Sequence, residues 1–236
     1  MDFSILKINI SIDSNLKNSD AEKIRGYLGN LFWDNPYAHQ HNANGSLIYR
    51  YPCVQYKIVD GLCMLIGFNE GVDVVKKTFH DLNKINLDGR WQEILSKGLE
   101  IYSASFSITS VQQCYFFLTP WLALNEKNYD KYQRLGSWAK KKELLEKILI
   151  GNIISMSKSL DYTVPEPIKA NIEKLKEVRT SLKGTSMLGF LGTFSVNFEI
   201  PDYWGIGKSV SRGFGTVIRQ TNRRQRTEVR RQNEKK

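Results

Sequence analysis

Two apolar segments of this chain meet at Asp60-Gly61, and few dipeptides restrict a fold so tightly. Asp-Gly suits a two-residue turn whose twist matches that of paired strands, so the flanking segments are predicted to form a hairpin. The segment before it, 46–59, carries Val54, Tyr56 and Ile58 on one face and Gln55 and Lys57 on the other, with Pro52 implying an edge position or a bulge. The segment after it, 62–68, is an apolar run. A helix precedes the hairpin. Ser19-Asp20-Ala21-Glu22 has capping-box spacing, Ile24, Tyr27, Leu28, Leu31 and Phe32 follow on one face, and Asn35-Pro36 ends it. A second helix starts at Asn69 and gathers Val72, Val75, Phe79 and Leu82. With an apolar strand at 4–10 and an alternating one at 99–108, the order is strand, helix, strand, strand, helix, strand. That is the ferredoxin-like arrangement, in which two helices cover one face of an antiparallel sheet and leave the other available.

A second unit begins near Gln113 with CYFFLTPWLAL, a strand limited by Pro120. Between about 128 and 158 a Lys- and Leu-rich helical region carries Leu144, Leu145, Ile148 and Leu149 as its apolar stripe. Residues 160–183 stay open: Ile172, Leu175 and Val178 suit a helix, while TVPEP does not. Residues 187–200 form a glycine-punctuated strand region.

Lys and Arg exceed Asp and Glu by 34 to 24, a net charge of +10, so a polyanion is the first partner to consider. Six of those charges lie in the last 18 residues, Arg219 to Lys236, an apolar-poor tail suited to following a phosphate backbone. Cys53, Cys63 and Cys114 form no C-x-x-C pair, which suggests neither a disulfide framework nor a thiolate zinc site. The start lacks a secretory pattern and no stretch reaches about 18 apolar residues, so a cytoplasmic protein without a membrane span is expected.

Seven of the 17 glycines fall between Gly184 and Gly215, densest in Gly205-Ile206-Gly207-Lys208-Ser209-Val210-Ser211-Arg212-Gly213-Phe214-Gly215. Such a loop can approach an anion closely, with Lys208 and Arg212 adding charge, and it matches neither a phosphate-binding Walker loop nor a dinucleotide fingerprint. It resembles the late G-x-G-x-x-x-S-x-G-F-G loop of the CRISPR repeat-RNA processing endoribonucleases, within the repeat-associated mysterious proteins. The likeness extends through Arg25-Gly26-Tyr27-Leu28-Gly29-Asn30 and His39 to Lys57.

The resemblance implies an α+β fold of tandem ferredoxin-like (RRM-like) domains with antiparallel sheets. Residues 1–110 would form the N-terminal domain, 111–218 the C-terminal domain with the glycine-rich loop, and 219–236 the basic tail. It also implies metal-independent, cofactor-free cleavage of CRISPR precursor RNA within repeats. The ribose 2'-hydroxyl attacks the adjacent phosphate and leaves 2',3'-cyclic phosphate and 5'-hydroxyl ends. Other CRISPR effector proteins are a second partner class, and a noncatalytic guide-RNA-binding subunit of an effector complex is the alternative.

This chemistry needs a base, an acid and stabilisation of the phosphorane charge. His41, ahead of His39, is the expected base, because imidazole titrates near neutrality and both follow the first helix, where the resemblance implies a catalytic histidine. Tyr37 is a helper hydroxyl, and Lys57 resembles the cation that stabilises the phosphate. Arg50, Lys183, Gly205, Gly207, Lys208, Ser209, Arg212, Gly213 and Gly215 are assigned to RNA binding. Tyr49, Tyr51 and Trp204 are candidates for base stacking, and His80, beside Phe79, is a packing or surface histidine.

Overall fold

The computed structural model describes residues 1–33, 35–39 and 50–221, with His39 given by its backbone alone. The first half runs β1 (Asp2–Ile12), α1 (Asp20–Leu31), a short α2 (Pro36–His39), β2 (Val54–Val59), β3 (Leu62–Phe68), α3 (Gly71–Asp81), β4 (Lys84–Leu87) and β5 (Arg90–Ser105). Asp60 and Gly61 take φ of 53° and 76°, and Val59 pairs with Leu62 across the turn. The strands form one antiparallel sheet in the order β2-β3-β1-β5-β4. β4 is an addition to the expected order. It folds onto β5 through Asp88-Gly89, a second turn with both φ positive and the same Asp-Gly signal.

The capping box at Ser19 does not form. Ser19 is itself helical, and Asp20 accepts the Lys17 amide at 2.8 Å. Glu22 reaches the second half instead, accepting the Lys183 amide at 3.1 Å and lying 3.4 Å from the Arg212 guanidinium.

The second half runs β6 (Ser107–Phe117), α4 (Glu126–Arg134), α5 (Trp138–Ser159), β7 (Ala170–Leu182), β8 (Thr185–Glu199), a 3-10 turn (Val210–Arg212) and β9 (Val217–Arg219). Its antiparallel sheet has the order β7-β8-β6-β9. Both sheets share one connectivity, in which a unit's second strand lies at the edge, then its third, its first and its last. In the second unit the glycine-rich segment stands where the first unit has α3. The ambiguous stretch 160–183 becomes mostly strand because β7 pairs along the length of β8, a partner that local periodicity does not show. The tail expected from 219 starts as strand, with the Arg219 amide donating to Asp202 at 2.7 Å, and residues 222–236 lie outside the described ones.

Apolar residues on both faces of β1 require two partners. Leu6, Ile8 and Ile10 pack with Ile24, Leu28, Val74 and Val75 of the helices. The opposite face, expected to stay available, is closed by the second half: Phe3, Ile5, Ile66 and Phe68 pack with Phe106, Phe198 and Trp204. Phe68 stacks on Trp204 at 4.3 Å and Phe3 meets it edge-on at 5.1 Å. Tyr51 and Trp204 are therefore core residues, 8% and 0% exposed, and not base-stacking platforms. The seam between the halves is built from aromatic side chains.

Candidate functional site

The two halves border a cleft of about 2050 Å³. One wall is cationic, with Arg25 from α1, Arg50 ahead of β2, Arg179 and Lys183 from the β7–β8 hairpin, and Lys208 and Arg212 from the glycine-rich segment. A second wall is helical, with Tyr129 and Gln133 of α4, and Asn152, Ser155, Lys158 and Ser159 of α5. Four carboxylates also line the space, Glu126, Asp130, Asp161 and Glu177, against seven cations. The surplus of positive charge suits a polyanion.

Of the residues singled out in the sequence, Arg50, Lys183, Gly207, Lys208, Ser209 and Arg212 come together on this lining. Gly205, Gly213 and Gly215 lie behind it and are buried. Their amides donate within the protein, from Gly205 to Gln55 at 3.0 Å, from Gly213 to Val210 at 3.0 Å and from Gly215 to Pro120 at 2.9 Å. At Gly215, with φ of 64°, a β-carbon would stand 1.9 Å from the Ile206 carbonyl oxygen, so the bend excludes any side chain. These three glycines shape the loop that carries Lys208 and Arg212 to the cleft.

The seam holds a polar network. Gln55 Oε1 accepts from the Gly205 amide and from Lys57 Nζ at 2.8 Å, while the Tyr51 hydroxyl donates to the Gly205 carbonyl at 2.8 Å. The Tyr51 amide donates to Ser159 Oγ, so the chain just after residue 50 is fastened to both the loop and α5. Lys57 is 0% exposed, enclosed in this network, and burial lowers its pKa to about 7.

α2 is held close by: the Tyr56 hydroxyl donates to the Ala38 carbonyl at 3.0 Å, and the Tyr37 amide donates to Asn35 Oδ1 at 3.0 Å. Burial raises the Tyr56 pKa, and the nearby Arg25 guanidinium opposes that shift. The Arg25 pKa is lowered, first by burial and then by repulsion from Arg212. A bound anion relieves both costs, and paired guanidinium groups suit a phosphate. Tyr37 is not among the cleft-lining residues, and His41 and the His39 side chain lie outside the described residues. His80 stays on α3 beside Phe79, with ring centroids 5.8 Å apart.

Family comparison agrees with this two-part architecture. Residues 1–105 match the model of the Cas6b N-terminal domain and residues 107–220 that of the Cas6b C-terminal domain. This chain belongs to the Cas6b family. A crystal structure of Cas6b is 37% identical over 93% of this chain and 100% of that one, with a TM-score of 0.86. Another, described as the CRISPR RNA processing endoribonuclease Cas6b, is 35% identical over the same shares, with a TM-score of 0.75. An uncharacterized protein of Methanocaldococcus jannaschii is 46% identical over 139 residues, 59% of this chain and 94% of that protein.

Within the Cas6b cleft, sequence reasoning missed Arg25, Arg179 and the helical wall as site residues. Arg25 occupies an ordinary polar position beside Ile24 on an amphipathic helix. Arg179 faces the cleft only because residues 170–182 pair as a hairpin strand, which periodicity left open. Gly207 lines the cleft with φ of 91°, and a β-carbon there would stand 2.7 Å from Trp121 Nε1. Gly207→Ala is expected to cost about 1–3 kcal/mol, read as a lower denaturation midpoint with an unchanged m-value.

Proposed function

We propose that this Cas6b chain cuts CRISPR precursor RNA within its repeats, with the phosphate backbone lying along the cationic wall of the cleft. The observation that carries this reading is the convergence of Arg25, Arg50, Arg179, Lys183, Lys208 and Arg212 from both halves on one cleft. In the cut, a histidine takes the proton of a ribose 2'-hydroxyl, whose oxygen attacks the adjacent phosphorus. The bond to the 5'-oxygen breaks and that oxygen receives a proton, leaving a 2',3'-cyclic phosphate and a 5'-hydroxyl. His41 is the first choice for base, with His39 as the other proton carrier, while Tyr37, off the cleft lining, is left without a contact to the substrate. Arg25 and Arg212 stabilise the phosphorane charge. The reaction draws on side chains alone and takes place in the cytoplasm. The noncatalytic guide-RNA subunit has no specific observation in its favour.

The test is incubation of the purified protein with the CRISPR repeat RNA of its own genome in excess EDTA, with both product ends mapped. A single internal cut leaving a 2',3'-cyclic phosphate is the expected result. Cleavage that needs added magnesium would overturn the metal-free chemistry, and tight binding without any cut would favour a guide-RNA carrier.

A further inference from the structure

The geometry points to Asn152 as a specificity-determining contact, a hydrogen-bond donor presented to an acceptor edge of an RNA base in the cleft. This rests on the RNA-cleaving reading above. Trp121 Nε1 donates to Asn152 Oδ1 at 3.1 Å. An indole can only donate, so this contact fixes which end of the carboxamide is oxygen and turns the amide nitrogen away from it. Trp121 itself is locked. It is 0% exposed, stacks on Phe117 at 5.2 Å, and exchanges two backbone bonds with Phe190, at 2.8 and 3.0 Å.

Asn152 lines the cleft and is only partly buried, and among the described residues no group takes a hydrogen bond from its Nδ2. The glycine at 207 lets the loop pass directly over the indole and the carboxamide: a β-carbon there would lie 2.7 Å from Trp121 Nε1 and 3.2 Å from Asn152 Oδ1. The result is a neutral donor of fixed orientation next to Lys208 and Ser209.

The chemistry of the two walls divides the labour. Lysine and arginine on one wall hold phosphates irrespective of sequence, whereas a carboxamide with its oxygen already committed discriminates donors from acceptors. A donor-only group favours guanine N7 and O6 or a pyrimidine carbonyl, and disfavours the exocyclic amines of adenine and cytosine. Exposed Tyr129 and Gln133 line the same cleft.

The experiment crosses protein variants with RNA variants. Affinities of wild type, Asn152→Asp and Asn152→Ala are measured against the repeat RNA of its own genome and against repeats changed at one position each. Asn152→Asp keeps an oxygen for Trp121 and replaces the donor, so its melting temperature reports that the fold is retained. Wild type is expected to lose about tenfold in affinity when one acceptor base is changed, and in both variants that one penalty disappears while penalties elsewhere and the salt dependence of binding persist. An equal loss across all RNAs, or no position-specific change, overturns the assignment. If wild type itself fails to bind or cut the repeat, it is the RNA-cleaving reading that fails.

Discussion

Alanine at His41 is expected to slow single-turnover cleavage by about 10²–10⁴-fold while RNA affinity stays within about threefold, because the residue moves a proton and the cationic wall does the binding. Alanine at His39 is the matched comparison. Described residues that flank the two histidines in sequence are held in place: α2 by Tyr56 through the Ala38 carbonyl, and residue 51 by Gly205 and Ser159. An imidazole base loses its proton as pH rises through about 6.5, so the wild-type rate should climb through that range and the slope should vanish in the variant that lacks the base. Lys57 is no substitute, since its side chain is wholly enclosed. If the double alanine variant cuts at the wild-type rate, proton transfer belongs to other groups in the cleft.

The parts of the fold written in local signals were legible. Asp60-Gly61, the apolar face of α1 and the run 62–68 each announce themselves within a dozen residues, and they suffice for the first ferredoxin-like unit. Asp88-Gly89 carried the same signal for β4 and passed unread. What local pattern does not contain is the partner of a surface. Gln55 and Lys57 look like the solvent face of an alternating strand, yet both are 0% exposed because the second half closes over that face. Phe3 and Ile5, apolar on the side of β1 away from the helices, are the residues that foretell the closure. Glu22 shows the same effect on a smaller scale: its spacing fits a helix cap, and the Lys183 backbone amide and the Arg212 guanidinium, some 160 to 190 positions away, take it instead.

The site was legible to a similar degree. The glycine-rich segment declared Lys208 and Arg212, and it is the β7–β8 hairpin of the structure that brings Lys183 to the same cleft. The helical wall gave no signal, because Asn152 becomes a fixed donor only once Trp121 lies against it. Chemistry that depends on one residue's orientation by another distant in sequence appears only with the fold.

Lys57→Met is expected to stabilise the protein, and to do so most at neutral pH and below. The lysine is buried with an uncharged partner, Gln55, and its pKa falls from 10.5 to about 7. Below pH 7 the folded and unfolded chains both carry the proton, and the folded chain bears the full cost of an enclosed ammonium. As pH rises above 7 the folded chain releases its proton while the unfolded chain keeps it until about 10.5, so the unfolded state binds more protons and stability increases with pH. Methionine has similar bulk and no charge, and it leaves Gln55 Oε1 bonded to the Gly205 amide, so the variant escapes the penalty without orphaning its neighbour. The expected gain is of the order of 3–4 kcal/mol at pH 6–7, shrinking by about 2–3 kcal/mol by pH 9, measured by denaturant unfolding of both proteins across that range. A gain that does not change with pH would mean that the lysine is neutral throughout or that its charge is balanced by another group. A loss of stability would show that its hydrogen bond to Gln55 outweighs the cost of burying the ammonium.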